Sequence, residues 1–162
     1  MKHSILFVCL GNICRSPAAQ GVMLDVIRRR GLEDSFEVDS AGTIAYHAGD
    51  GPDRRMIQAA GRRGFRLDHI SRRIRPNDFD DFDVIVAMDD KNYDDLRALA
   101  PTPEHEKHIL KMADYFSPAM AERYDCVPDP YYEGPEGFEL VLDMLDDACE
   151  TLLNKIIENE KH

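Results

Sequence analysis

Apolar residues follow two rhythms along this chain. Ile5-Leu6-Phe7-Val8 is a continuous apolar run with β-branched and aromatic members, the pattern of a strand buried on both faces of a parallel sheet. Val84-Ile85-Val86-Ala87-Met88 repeats it. Phe36-Glu37-Val38 predicts a shorter strand and His108-Ile109-Leu110-Lys111 a weaker one. Between these runs the spacing turns helical. Ala18, Ala19, Val22, Met23, Val26 and Ile27 recur until Gly31, with Ser16-Pro17 as the expected N-cap and first-turn proline. A second helix is expected to open at Gly51-Pro52, turn Met56, Ala59 and Ala60 inward, and close at Gly64. A third runs from Asp90 to Leu99, ahead of Pro101. The last begins near Pro135 and carries the stripe Phe138, Val141, Leu142, Leu145, Cys149, Leu152, Leu153 and Ile156. Residues 113–134, rich in Pro, Tyr and Asp, read as one long connection.

Strands alternating with helices predict an α/β fold: a parallel sheet with helices on both faces, in one domain spanning residues 1–162. Ligands of such sheets bind beyond the carboxyl ends of the strands. The first strand ends at Cys9, which places the expected site there.

Composition narrows the picture. The 162 residues hold 20 Lys/Arg and 31 Asp/Glu, a net charge of −11, which argues against binding nucleic acid or an anionic membrane. The charge is split: residues 1–75 sum to +5 and residues 76–162 to −16. The longest apolar run, Ile5 to Leu10, is too short to span a bilayer and lacks the cleavage-site pattern of a signal peptide, so a cytoplasmic protein is expected. Four cysteines, Cys9, Cys14, Cys126 and Cys149, form no CxxC pair and no zinc-like Cys/His spacing. They are expected to be free, catalytic or redox-active, with no structural metal.

The candidate chemistry lies in Cys9-Leu10-Gly11-Asn12-Ile13-Cys14-Arg15-Ser16, between a buried strand and a helix start. A helix N-terminus offers unpaired N–H groups and partial positive charge to an anion. Gly11 and Asn12 tolerate the left-handed backbone that turns successive N–H groups into one concavity. Arg15 supplies a planar fork for two phosphate oxygens. A cysteine placed at a helix N-terminus beside an arginine is the kind that serves as a reactive thiol. A thiolate beneath a bound phosphate is poised for attack on phosphorus, which points to phosphoryl transfer through a cysteinyl phosphate. One carboxyl group can then serve as general acid and later as general base. Asp129, stiffened by Pro128 and Pro130 and followed by two tyrosines, has the best local case.

Cys9 to Pro17, CLGNICRSP, resembles the phosphate loop of the low-molecular-weight protein tyrosine phosphatases. The resemblance extends over nearly the whole chain, through Asp39-Ser40-Ala41-Gly42, Met88-Asp89 and Asp129-Pro130-Tyr131-Tyr132. It implies a four-stranded parallel sheet of order 2-1-3-4, and neither metal nor organic cofactor. It implies Cys9 as nucleophile, Arg15 as transition-state clamp and Asp129 as general acid and base. Leu10, Gly11, Asn12, Ile13, Cys14 and Ser16 would bind phosphate. Ser40 and His69 would support Asn12, and Tyr46, Tyr131 and Tyr132 would wall an aromatic slot. Ser16 would also donate to the departing Cys9 thiolate. A reversible Cys9–Cys14 disulfide is expected to shield the nucleophile from over-oxidation. The implied partner is a phosphotyrosine-containing protein, with a tyrosine kinase among the candidates, and the chain is expected as a monomer or weak homodimer.

Three other functions compete. Thioredoxin-coupled arsenate reductases share the scaffold but need a resolving cysteine pair near the third strand, and residues 80–95 hold no Cys. Protein arginine phosphatases carry Thr where this chain has Ile13. A binding module without catalysis would not need Cys9, Arg15 and Asp129 together.

Overall fold

Burial on both faces makes β1 (His3–Cys9) the centre of the molecule: Ile5, Leu6, Phe7 and Val8 are all inaccessible to solvent. A computed structural model describes residues 2–160, with the side chain of Glu160 left out. Of the span 1–162 expected as one domain, Met1, Lys161 and His162 lie outside the described residues. After β1 come α1 (Arg15–Arg29), β2 (Phe36–Gly42), α2 (Arg54–Arg62), α3 (Asp78–Asp81), β3 (Val84–Ala87), α4 (Asp90–Leu99), α5 (Pro103–Glu106), β4 (Ile109–Lys111), α6 (Pro118–Arg123) and α7 (Pro135–Glu160). The four strands form one parallel sheet in the order β2-β1-β3-β4, as expected.

Alternating side chains of β1 feed two cores. Ile5 and Phe7 pack with Val22, Met23 and Val26 of α1 and with Val141, Leu145 and Leu152 of α7. Leu6 and Val8 face Ile85 and Ala87 of β3, Phe79 and Leu96. Helices therefore cover both faces. No helix among the described residues is long and apolar enough to cross a membrane.

Three sequence expectations are corrected. Ser16 is not the N-cap of α1. The helix starts at Arg15, with Cys14 at the cap and no side-chain cap bond, because the Ser16 hydroxyl is committed to Cys9 and Asn12. β2 runs past Val38 to Gly42, since it pairs with β1 in register from His3↔Phe36 to Cys9↔Gly42. The 113–134 stretch is not wholly irregular. A 3-10 turn covers Met112–Tyr115, and α6 follows, its Ser117 side chain accepting from Met120 N–H and its Pro118 in the first turn.

Candidate active site

The β1–α1 loop is held in an uncommon shape by its own side chain. Asn12 has φ 58°, the one positive φ among the described non-glycine residues. Gly11, expected to share it, does not. Asn12 is wholly buried, and every polar atom of its amide is used. Its Nδ2 donates to Ser16 Oγ at 2.7 Å and Ser40 Oγ at 3.0 Å. Its Oδ1 meets His69 Nε2 at 2.9 Å and accepts from Arg72 N–H at 3.1 Å. Its carbonyl accepts from the Ser71 hydroxyl, and Ser40 Oγ donates onward to Gln20 Oε1 at 2.7 Å. These bonds repay the backbone strain, since an Asn in this conformation is tolerated when locally bonded.

The chain of hydrogen bonds ends on Cys9. Ser16 Oγ accepts from Asn12 and lies 3.0 Å from Cys9 Sγ, with the Ala41 carbonyl as a longer acceptor at 3.4 Å. Main-chain N–H groups of Gly11, Asn12, Ile13 and Cys14 take no acceptor among the described residues, so the loop keeps its donors for an anion. β2 must pass close by. A Cβ on Gly42 would lie 2.7 Å from the Leu10 carbonyl and 3.2 Å from the Asn12 nitrogen. Only glycine lets the strand touch the loop there, a steric reason that the Asp39-Ser40-Ala41-Gly42 motif did not disclose.

Arg15 reaches from the first turn of α1 to the far side of the site. Its Nη1 donates to Asp89 Oδ2 at 2.7 Å and to the Val127 carbonyl at 3.1 Å, and its Nη2 lies 3.7 Å from Asp129 Oδ2. Burial opposes its charge, yet the Cys9 sulfur and the Asp89 hydrogen bond outweigh burial and raise its pKa. The Asp129 loop is tethered at the same point, because Val127 N–H donates to the Met88 carbonyl beyond β3 at 2.8 Å. Asp129 Oδ1 accepts from Tyr131 N–H at 3.0 Å. Asp89 also caps α4, accepting from Asn92 N–H at 2.7 Å. The sequence reading quoted Asp89 without a role. Its position after a strand and before a helix was the available signal.

A cleft of about 330 Å³ opens over Cys9 and Arg15. Its lining includes Leu10, Gly11, Ile13, Cys14 and Asp129, together with all three expected tyrosines. Tyr46 is 83% and Tyr132 92% exposed, so these two stand at the mouth. Tyr131 is half-buried and held from behind by Arg55, whose guanidinium lies 5.2 Å from its ring and 4.8 Å from that of Phe138. Asp53 fixes Arg55 through two bonds of 3.1 and 2.9 Å, and Asp53 N–H donates to the Ile13 carbonyl at 2.7 Å. Arg55 thus joins the aromatic wall to the phosphate loop. His47, also missed, completes the collar, 4.8 Å from the Tyr46 ring and 6.4 Å from Tyr131. Ser40 and His69 lie outside the cleft, in the shell that holds Asn12. Cys14 is buried beside Cys9, and burial, with Asp53 and Cys9 adding, pushes its thiol well up. All four cysteines are free.

A parallel α/β sheet, a Cys-x5-Arg-Ser loop at a helix start and a carboxylate facing the arginine together define the class, a phosphatase. The sequence model of the low molecular weight phosphotyrosine protein phosphatases matches residues 4–162, and the chain belongs to that family. It is 46% identical over 152 residues to a putative low molecular weight protein-tyrosine-phosphatase of Synechocystis sp., covering 94% of this chain and 95% of the relative. Among solved structures it is similar to a protein tyrosine phosphatase of Entamoeba histolytica, with TM-score 0.93, 45% identity and coverage of 98% and 99% of the two chains. A Drosophila arginine phosphatase shares the fold at TM-score 0.86 and 33% identity, with 96% and 98% covered.

Proposed function

We propose that the protein hydrolyses phosphotyrosine in proteins through a cysteinyl-phosphate intermediate, with Cys9, Arg15 and Asp129 carrying the chemistry. The observation behind this reading is the convergence of two distant segments on one cleft: Cys9 and Arg15 of the β1–α1 loop, and Asp129 within 3.7 Å of Arg15. The Cys9 thiolate attacks phosphorus as the bond from phosphorus to the phenolic oxygen breaks, and protonated Asp129 gives its proton to that oxygen. Arg15 and the free N–H groups of the loop hold the equatorial oxygens where charge develops. Asp129, now a carboxylate, takes a proton from water as the water oxygen attacks phosphorus. The S–P bond breaks, and the Ser16 hydroxyl stabilises the returning thiolate.

The aromatic collar supports a planar aryl substrate, since flat rings pack well against aromatic walls. Ile13, apolar and at the cleft, favours phosphotyrosine over phosphoarginine. A phosphotyrosine-bearing protein, with a tyrosine kinase among the candidates, is the proposed partner, and the cytoplasm the proposed compartment. The test compares p-nitrophenyl phosphate with phosphotyrosine, phosphoserine and phosphoarginine peptides. Phosphotyrosine should be preferred and Cys9→Ser inactive. Asp129→Asn should slow aryl esters strongly and leaving groups that need no proton much less. Residual turnover by Cys9→Ser, or an equal loss across leaving groups, would refute the roles given to Cys9 and Asp129. Preference for phosphoarginine would move the assignment to the other branch of the fold.

A further inference from the structure

Next to the catalytic cleft lies a second, more open depression of about 300 Å³. Leu10, Thr43, Ile44 and Leu99 form its apolar part, and Arg73 and Lys91 stand at its edge. Leu10 and Ile44 belong to both depressions, so the two form one continuous surface. The shared wall is firmly placed. Thr43 N–H donates to the Cys9 carbonyl at 3.0 Å and Ile44 N–H to the Leu10 carbonyl at 3.2 Å. What happens on this wall is therefore tied to the position of the nucleophile.

Two features mark it as a surface made to be covered. Ile44 is 41% and Leu99 40% exposed, large aliphatic side chains that the fold leaves uncovered. Lys91 is neutralised by Asp95 at 3.0 Å, whereas no carboxylate among the described residues pairs with Arg73. In a chain of net charge −11, an uncompensated arginine beside the active site selects for a negative ligand group.

We propose that this depression is a second substrate subsite. It takes an aliphatic side chain next to the phosphotyrosine, and its Arg73 pairs with an acidic residue one position further along the substrate. The inference rests on the phosphotyrosine-protein reading. With the phosphorylated ring inserted between the tyrosines, the substrate main chain lies at the cleft mouth, and the adjacent residue falls onto Ile44 and Leu99. Burying an aliphatic side chain there is worth about tenfold in kcat/KM, equivalent to ~1.4 kcal/mol.

The test uses three phosphotyrosine peptides: one followed by Leu-Glu, one preceded by Glu-Leu, and one flanked by alanines. The wild type should turn over one of the first two about tenfold faster, in kcat/KM, than the alanine reference. Leu99→Asp should abolish the advantage. Arg73→Glu should reduce it, and a fourth peptide, with lysine in place of the glutamate, should then be preferred. Both positions are on the surface, and turnover of p-nitrophenyl phosphate, which is too small to reach them, should change less than about twofold. Equal turnover of all three peptides, or an advantage untouched by both substitutions, overturns the inference and leaves the phosphatase reading standing. If neither p-nitrophenyl phosphate nor any phosphotyrosine peptide is hydrolysed, the phosphatase reading fails and the subsite fails with it.

Discussion

Replacing Asn12 by alanine should separate what the loop costs in strain from what it gains in hydrogen bonds. Asn12 holds φ 58°, which for a residue with a Cβ and no compensating side chain costs about 1–2 kcal/mol. Of its four side-chain partners, Ser16 and Ser40 keep other bonds, to Cys9 and Gln20, and His69 is only partly buried. The Arg72 N–H loses its partner, at a cost of about 1–3 kcal/mol. Asn12→Ala should therefore lose ~2–5 kcal/mol of stability, a large share of the 5–15 kcal/mol typical of a domain. Asn12→Gly loses the same bonds but tolerates the backbone, so it should be ~1 kcal/mol more stable than the alanine variant. Both should lose activity alike, because Ser16 loses the Asn12 donor that positions it beside Cys9. Weakening the Ser16–Cys9 contact by about 1 kcal/mol is about fivefold in kcat/KM. Urea unfolding and p-nitrophenyl phosphate kinetics on the two variants give both readings. A glycine variant no more stable than the alanine one refutes the strain argument. Wild-type activity in either variant refutes the positioning of Ser16 by Asn12.

Arg55→Ala frees Tyr131 from its cation and detaches the wall from Asp53, so KM for aryl phosphates should rise about fivefold with kcat nearly unchanged; an equal fall in kcat would make Arg55 part of the chemistry. Burial holds the His69 ring below its ordinary pKa, with Arg72 adding and Asp39 opposing. The folded chain thus takes up this proton less readily than the unfolded one, whose histidine titrates near about 6.5. Stability from the neutral ring is present above that pH and is lost as pH falls toward the folded value. His69→Gln should flatten the dependence of the urea midpoint on pH below about 6.5, and an unchanged slope would show that another group sets it. Peroxide should oxidise Cys9 to a sulfenic acid with release of water, and Cys14 should then displace a second water to form a Cys9–Cys14 disulfide. Because the Cys14 thiol is held protonated by burial, disulfide formation should accelerate as pH rises. Recovery of Cys9 sulfinic acid without a linked peptide, by mass spectrometry, would contradict the pairing.

Legibility in the sequence followed the range of each interaction. β1, its loop and α1 were readable because an apolar run, a phosphate motif and a helical stripe lie within 30 residues. α4 was readable from Asp90 to Leu99. α6 was missed because it is six residues long and buries none of them, leaving no periodicity to detect. Ser16 was misread because a Ser-Pro pair before an apolar stripe looks like a cap. Only the fold shows that its hydroxyl is claimed by Cys9 and Asn12. Asp89 meets Arg15 across 74 residues of chain, and Arg55 acts by lying against the rings of Tyr131 and Phe138. Neither relation leaves a local trace. Gly42 was visible as a letter, but its reason, the Leu10 carbonyl at 2.7 Å from a Cβ there, is purely spatial.

The charge split acquires a meaning once the halves are folded together. Arginines of the basic half face acids of the acidic half across the α1–α7 and α2–α7 contacts, with Arg29 on Glu150 at 3.5 Å and Arg63 on Asp143 at 2.9 Å. These exposed or partly exposed pairs contribute little stability each, but they absorb much of the basic half's charge. At the site the balance is different. Arg15 is buried with Asp89 on one side and Asp129 on the other, so with both carboxylates ionised the cluster is already net negative before a phosphate arrives. A phosphate dianion can then bind well only if the loop N–H groups and the α1 N-terminus supply the attraction, or if Asp129 is protonated when it binds. On the proposed mechanism, the proton that Asp129 gives to the phenolic oxygen is the one that lowers the repulsion at binding. Productive binding and general-acid catalysis would then depend on one and the same proton.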